Sequence, residues 1–353
     1  MTLRSVLHLV NRWERGGVER HVRDLIEGMR GHGVDGHIAA WMPDGTIAMP
    51  DCTFLPLYDA SGTRRSWTGI LRAIDIVQDL VETHRIVVLH VHSRLLLPVA
   101  AAVARRTGSV RVLTLHSMYD TFNWLPWQPH HVIALSALSR AHYLSQVAHS
   151  SMHEVTVVGN GISLPPPAAP TSHSQQVAFI GRCTETKGGE VLLDAAALLH
   201  EQGVRMQLMF AGDGPLLAAW QQRAHRLGIS EACTWLGMID DVEACIRAAG
   251  IVVMPSTGLE GSPYVALDTL AHSRMLVCSD LPVLKELYGG CPAVFFHRAG
   301  DATDLARTIT HVRALTEPDL RKRHSDARSF IATHASREGM VRATMNVHTR
   351  ALR

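Results

Sequence analysis

The chain is short of several things, and each shortage narrows what it can be. Of its 353 residues only Lys187, Lys285 and Lys322 are lysines, and 5% are aromatic. Thirty-four Lys and Arg face 32 Asp and Glu, a formal net charge of +2. A dedicated nucleic-acid binder would carry a strongly basic domain or stripe, so no nucleic-acid partner is expected. No apolar run approaches the ~18 residues needed to cross a bilayer. Met1 to Val10 contains Arg4 and His8 in a stretch too short for the apolar region of a signal peptide, so the chain reads as soluble and unprocessed. The cysteines, Cys52, Cys183, Cys233, Cys245, Cys278 and Cys291, form no C-x-x-C pair. That argues against a zinc knuckle, a redox dithiol or a disulfide scaffold, and for a reducing cytoplasm. Histidine is in excess at 22 residues, each able to gain charge as pH falls through ~6.5.

At roughly 100 to 200 residues per domain, the length predicts two domains. Ser5 to Val10 is a short, mostly apolar run that leads through Asn11 to Gly16-Gly17. Val18, Val22, Leu25, Ile26 and Met29 then recur on one helical stripe, giving strand, glycine loop, helix. The alternation continues with strands over 38–41, 86–91, 110–115, 132–135 and 155–158 and helices over 67–81, 95–105 and 137–148. It restarts after the proline-rich stretch 164–176, with strands over 177–180, 206–211, 233–236, 251–254, 275–278 and 293–296 and helices over 191–200, 216–227, 242–249 and 265–271. Such alternation predicts parallel sheets covered on both faces, α/β and doubly wound. The expected organisation is an N-terminal Rossmann-like domain at 1–163, a linker at 164–176 and a C-terminal Rossmann-like domain at 177–334, with a C-terminal helix at 335–353 joining the first domain. Doubly wound sheets bind ligands at the carboxyl ends of their strands, so two facing sheets would form one cleft.

Several loops at those carboxyl ends carry chemistry. Gly16-Gly17, with Glu19 behind it, is either a tight turn or a place where backbone amides meet an anion at a helix N-terminus. It lacks the third glycine of G-x-G-x-x-G, which disfavours a dinucleotide oxidoreductase. Gly181-Arg182 through Lys187-Gly188-Gly189 puts two cations where they can stabilise a diphosphate leaving group without a metal. Its bland alternative is a solvated loop. After the strand at 251–254 come Glu260-Gly261-Ser262-Pro263-Tyr264-Val265 and, two turns into a helix, Asp268. His116 ends the run Val112 to Leu115. His90 and His92 share one face of a strand, a spacing metals use, but no third ligand is within reach by sequence and no metal or other cofactor is expected.

Taken in order, Gly16-Gly17-Val18-Glu19-Arg20, Asn160-Gly161-Ile162, Gly181-Arg182 with Lys187-Gly188, Gly212-Asp213-Gly214-Pro215 and Glu260-Gly261-Ser262-Pro263 with Asp268 resemble glycosyltransferase family 4. The late segment Ser279-Asp280-Leu281-Pro282 with Glu286-Leu287 extends the resemblance over nearly the whole chain. It implies a GT-B fold, retention of anomeric configuration and a nucleotide-sugar donor. On that resemblance Arg182 and Lys187 bind the donor diphosphate, Glu260 contacts the donor sugar, and Ser262, Pro263, Tyr264 and Val265 supply backbone to sugar and phosphate oxygens. Gly16 and Gly17 adjoin the donor, and Ile239 follows the strand that presents backbone to the nucleobase. Asp268 stands where the family usually has a second Glu on the ribose; its side chain is one methylene shorter, so a tilted ribose or a bridging water is expected. His116 matches a family histidine near the donor sugar and the acceptor hydroxyl, with Glu19, His92, Ser93 and Trp124 on the acceptor side.

Trp124 belongs to Tyr119 to Trp127, an aromatic-rich stretch suited either to a sugar ring or lipid or to plain packing. Arg64-Arg65-Ser66-Trp67 opens a helix with Ile70, Leu71, Ile74 and Val77, either a surface helix or one that rests on an anionic bilayer. The expected function is transfer of a sugar from a UDP- or GDP-sugar to a glycan, lipid-linked glycan or small glycoside, in bacterial-type surface polysaccharide or glycoconjugate synthesis. The expected location is cytoplasmic, including the inner face of the membrane. The alternatives are a GT-B nucleotide-sugar epimerase and a catalytically silent nucleotide-sugar-binding subunit.

Overall fold

The fold comes from a computed structural model, which describes residues 2–14, 16–42, 52–59, 62–117, 127–146, 154–166 and 176–353. The chain forms two compact units, Met1–Asn160 with Arg337–Arg353 and Gly161–Ser336.

In the first unit the elements are β1 (Ser5–Val10), α1 (Gly17–Arg30), β2 (Asp35–Ala40), β3 (Cys52–Phe54), α2 (Trp67–Thr83), β4 (Val88–Val91), α3 (Leu97–Thr107), β5 (Val110–Leu115), β6 (His131–Ala134), α4 (Ala137–Gln146) and β7 (Glu154–Val157). Local signals set their ends. Ser66 caps α2 by accepting the Gly69 amide, and α3 stops at Gly108, whose φ of +74° suits glycine. The strands form one parallel sheet in the order β3-β2-β1-β4-β5-β6-β7. Because side chains alternate along a strand, Leu7, Leu9, Leu89, Val91, Leu113 and Leu115 enter a core with α2 and α3. Val6, Val88 and Val112 point the other way, into a core with Leu25 and Met29 of α1 and with Met340, Val341 and Val347 of the C-terminal helix Arg337–Ala351.

The second unit contains β8 (Gln176–Ile180), α5 (Gly189–Glu201), β9 (Gln207–Ala211), α6 (Leu217–Arg226), β10 (Cys233–Gly237), α7 (Val242–Ala248), β11 (Ile251–Met254), α8 (Tyr264–Ala271), β12 (Met275–Ser279), α9 (Pro282–Tyr288), β13 (Val294–His297), α10 (Ala302–Arg313) and α11 (Glu317–His334). Its parallel sheet runs β10-β9-β8-β11-β12-β13. Each sheet has the doubly wound order, with reversal between its first and fourth strands. The helices Leu217–Arg226 and Tyr264–Ala271 fall where periodicity puts them.

Two elements were not expected from the sequence. β3 is three half-exposed to exposed residues on the sheet edge, too short for an alternating pattern. α9 is seven residues opening with proline, and only Val283, Leu284 and Tyr288 of it are buried. Arg321-Lys322-Arg323, on α11, lies on an exposed face with i,i+4 pairs Arg321–Glu317 and Lys322–Asp326. Among the described residues no helix is long and apolar enough to cross a membrane.

Gly28 shows how tightly the C-terminal helix is seated. A Cβ there would meet Val341 Cγ2 at 2.4 Å and Cγ1 at 3.1 Å. Alanine in a helix interior usually gains about 1 kcal/mol over glycine, whereas overpacking a core costs about 1–3 kcal/mol. Val341 is stiff at χ1 and cannot swing away. Gly28→Ala should therefore destabilise in urea unfolding, and adding Val341→Ala should recover part of the loss; an unchanged or raised midpoint for the single variant would contradict this packing.

Candidate active site

The C-terminal unit places its chemistry where its sheet order reverses, between β8 and β11. Gly181 follows β8, and exposed Arg182 continues into the loop. The loop closes in a 3-10 turn, Glu185–Lys187, and Gly188 caps it with φ of +66°. A Cβ on Gly188 would lie 2.0 Å from the Pro255 carbonyl oxygen, so only glycine lets this loop press against the one after β11. The two loops are joined by the Thr257 amide on Thr186 O (3.0 Å), the Gly258 amide on the same oxygen (3.3 Å) and the Thr257 hydroxyl on Glu185 O (3.0 Å).

That junction brings together Lys187 and Glu260, 73 residues apart. Lys187 Nζ donates to Glu260 Oε1 at 2.6 Å, and Ser256 Oγ donates to the same oxygen at 2.6 Å. Glu260 is 6% exposed, whereas the Lys187 side chain is 33% exposed. A buried carboxylate is tolerable because two donors hold one of its oxygens. The ammonium has three N–H donors, so its open side can still take a second anion. α8 begins four residues after Glu260. Pro263 occupies its cap, Ser262 and Tyr264 are buried, and Val265 packs beside Ile239 over Ala178 and Ala211. The first turn of a helix directs amides outward, which suits anionic oxygens. Asp268 is buried inside α8, at 3% exposure.

Sequence reasoning missed Tyr288, because α9 was not foreseen. Its hydroxyl lies 3.4 Å from the Pro263 carbonyl, and Ser262 bonds it as well. Burial, with Glu260 and Asp268 nearby, pushes the Tyr288 phenol up, so it stays protonated and supports the start of α8 as a donor.

The N-terminal unit gathers histidines. Register places His8 of β1 beside His90 of β4, on the sheet face under α1 and the C-terminal helix. His8 Nδ1 lies 3.0 Å from His92 Nε2, and His92 Nδ1 lies 2.9 Å from His116 Nε2. His90 bonds Thr114 Oγ1 through Nε2 (2.7 Å) and His348 Nε2 through Nδ1 (3.2 Å). His21, on α1, sets its ring edge-on to His116 at 4.9 Å between centroids, and its Nδ1 lies 2.9 Å from Asn160 Oδ1. His116 is half-buried; the other five are buried. The absence of a third imidazole near His90 and His92, expected from sequence, is thus corrected: His8, His21 and His116 all approach His92. Linear spacing hid this, since the register of β1 against β4 and the placement of α1 decide it.

Burial holds all six imidazoles neutral. It drives His8, His90, His92 and His116 well below the ordinary histidine value, reinforced by mutual repulsion, and takes His21 to about 4 and His348 to about 3. Of the remaining acceptor-side candidates, Glu19 is buried and turned onto its own loop, where Oε1 accepts the Glu14 amide at 3.2 Å. Burial raises its carboxyl above the usual range. Gly16 is the extended N-cap of α1, Gly17 its first residue, and Ser93 Oγ accepts the Leu95 amide at 3.4 Å. Trp124 lies outside the described residues, while Trp127 packs on the core beside α2 and α3.

Two parallel α/β units with these strand orders define a two-domain GT-B fold, and solved structures share it. A glycosyltransferase from Rickettsia africae ESF-5 superposes with a TM-score of 0.80 at 15% identity, over 99% of this chain and 98% of that one. HepE of Anabaena, crystallised in complex with UDP-glucose, gives 0.79 at 16% identity, over 98% and 99%. Residues 15–169 match "Glycosyltransferase Family 4", and residues 174–314 match "Glycosyl transferases group 1". The chain belongs to glycosyltransferase family 4. EpsF of Bacillus subtilis (strain 168), named as a glycosyltransferase, is 33% identical over 104 residues, which span 30% of this chain and 27% of that protein. The alpha-D-kanosaminyltransferase of Streptomyces kanamyceticus is 26% identical over 152 residues, 42% of this chain and 39% of that one.

The histidine cluster sets a direction for pH dependence. Unfolding lets each imidazole regain a pKa near 6.5, so below that pH the unfolded chain binds protons that the folded chain refuses, and stability falls with acidification. Each buried member contributes a loss of about 1 kcal/mol between pH 7 and pH 5.5. Urea midpoints should therefore drop steeply over that interval in chelator-containing buffer, and His21→Gln should flatten the slope. A pH-independent midpoint would contradict the neutral cluster.

Proposed function

We propose that this glycosyltransferase moves a sugar from a UDP- or GDP-sugar to a hydroxyl of a glycan, a lipid-linked glycan or a small glycoside, with retention at the anomeric carbon. The observation that carries this reading is Lys187, partly exposed and held on buried Glu260 at the reversal point of a doubly wound sheet. The complexes of HepE with UDP and with UDP-glucose support a nucleotide-sugar donor.

In this reading the bond between the anomeric carbon and the diphosphate oxygen breaks, and its electron pair leaves with the diphosphate. Arg182, Lys187 and the first amides of α8 stabilise that charge without a metal, in a site preorganised before the donor arrives. The acceptor oxygen bonds the anomeric carbon on the face the diphosphate leaves, and a departing phosphate oxygen takes the hydroxyl proton. Glu260 orients the donor sugar, Asp268 reaches the ribose through a water or a tilted ring, and Ile239 adjoins the base. His116 orients the acceptor, with His92 behind it and Glu19 and Ser93 shaping the adjoining loops. The neutral imidazole of His116 can accept or donate a hydrogen bond to a hydroxyl, which an imidazolium could do only as donor.

The same reading places the protein in bacterial-type surface polysaccharide or glycoconjugate synthesis, on the cytoplasmic side. On α2, Trp67 is 83% and Leu71 64% exposed one turn apart, while Val77 is buried. Exposed apolar side chains near Arg64 support peripheral contact with an anionic bilayer, the surface on which a lipid-linked acceptor resides.

Lys187→Ala should lower kcat by about 100- to 1,000-fold, the cost of losing one donor to transition-state charge. The melting temperature is recorded alongside, because Glu260 then keeps only the Ser256 hydroxyl. Turnover within a few-fold of wild type in a folded variant would refute the donor-site assignment.

A further inference from the structure

Three members of the histidine cluster have the arrangement of a metal centre. We propose that His21, His92 and His116 form a binding site for one divalent first-row transition ion of the zinc class, separate from the residues assigned to the donor diphosphate. Each of the three offers one ring nitrogen, and the three nitrogens lie within 4.8 Å of one another. Nitrogens bound 2.0–2.1 Å from one tetrahedral ion stand about 3.3 Å apart, so small side-chain rotations close the set. His92 Nδ1 and His116 Nε2, now 2.9 Å apart, need only separate slightly.

The remaining ring nitrogens show which atoms point inward. Asn160 Oδ1 is an acceptor, so His21 Nδ1 carries the proton and its buried Nε2, which has no hydrogen-bond partner, bears the lone pair. Ligating histidines characteristically donate their second N–H to a carbonyl in this way. His92 is backed similarly, since His8 Nδ1 bonds its Nε2 and leaves Nδ1 on the side of His116. A second triad, His8, His90 and His92, also clusters. It is the poorer site, because both nitrogens of His90 are already engaged, by Thr114 and His348. It is also the more enclosed, as His8 and His90 are 0% exposed, whereas His116 is half-buried.

Imidazole-only ligation selects Zn²⁺, Co²⁺, Ni²⁺ or Cu²⁺ over Mg²⁺ and Ca²⁺, which prefer oxygen. Three protein ligands leave a fourth position for water or another oxygen donor, the pattern of an open rather than a purely structural centre. Occupancy would engage His116; any effect of that on sugar transfer rests on the function proposed above, whereas the site itself does not.

The test is a titration of the tag-free full chain, stripped with EDTA and dialysed, with CoCl₂. One tight equivalent should appear with the visible absorption of low-coordinate cobalt, be displaced by Zn²⁺ and be indifferent to excess Mg²⁺. His21→Gln and His116→Gln should each weaken binding by more than about 100-fold, and Asn160→Ala by about tenfold, as for a second-shell partner. His84→Gln, at the separate His37–His84 stack, should leave the titration unchanged. No tight equivalent, or a band that survives both His21→Gln and His116→Gln, would overturn the site. Should either variant fail to fold, X-ray absorption on the cobalt-loaded wild type decides, since fewer than three imidazoles around the ion would overturn it equally.

Discussion

The close approach of two backbone loops is the constraint on which the C-terminal site depends. Gly188, in a left-handed conformation, lets the turn after β8 lie against Pro255 with no room for a side chain. Everything chemical in that unit follows from it. Lys187 reaches Glu260, Ser256 shares the same carboxylate oxygen, and α8 starts within a few residues of the pair. A buried carboxylate is tolerable where two donors hold it, and the partly exposed ammonium keeps N–H donors on its open side.

The N-terminal unit solves a different electrostatic problem. Six imidazoles, from the sheet, α1 and the C-terminal helix, sit together where charge is poorly solvated, and burial keeps them neutral. Neutral imidazoles can both donate and accept, so the hydrogen-bonded run from His8 through His92 to His116 fixes ring orientations in a way an aliphatic core could not. The histidine excess noted in the composition is therefore partly architectural. His348, from the C-terminal helix, joins His90 across 258 residues and helps tie that helix to the N-terminal sheet.

Much of the fold was legible because parallel α/β units write themselves plainly: Ser5 to Val10, Val110 to Leu115 and Ile251 to Met254 are apolar runs bounded by turns, and they are strands. Lys187 and Glu260 were legible as candidates through their place at strand ends, although only the folded chain shows that they touch. Three-residue β3 was not, because it is too short to alternate, and neither was α9, whose buried Val283, Leu284 and Tyr288 give only a single i,i+4 pair. The histidine cluster was illegible for another reason. His8, His90 and His92 lie on predicted strands, but pairing register and the seating of α1 and the C-terminal helix are long-range properties that no local pattern encodes.

The central claim is that the C-terminal unit holds a nucleoside diphosphate through Lys187. Its most direct test is a thermal-shift screen of UDP, GDP and ADP against the wild-type chain and Lys187→Ala. A ligand bound only by the native state at 100 times its Kd adds about 2.7 kcal/mol of stability. The account predicts that UDP or GDP raises the melting temperature of the wild type and that the shift largely disappears in Lys187→Ala. No shift with any of the three, or an equal shift in both proteins, would contradict it.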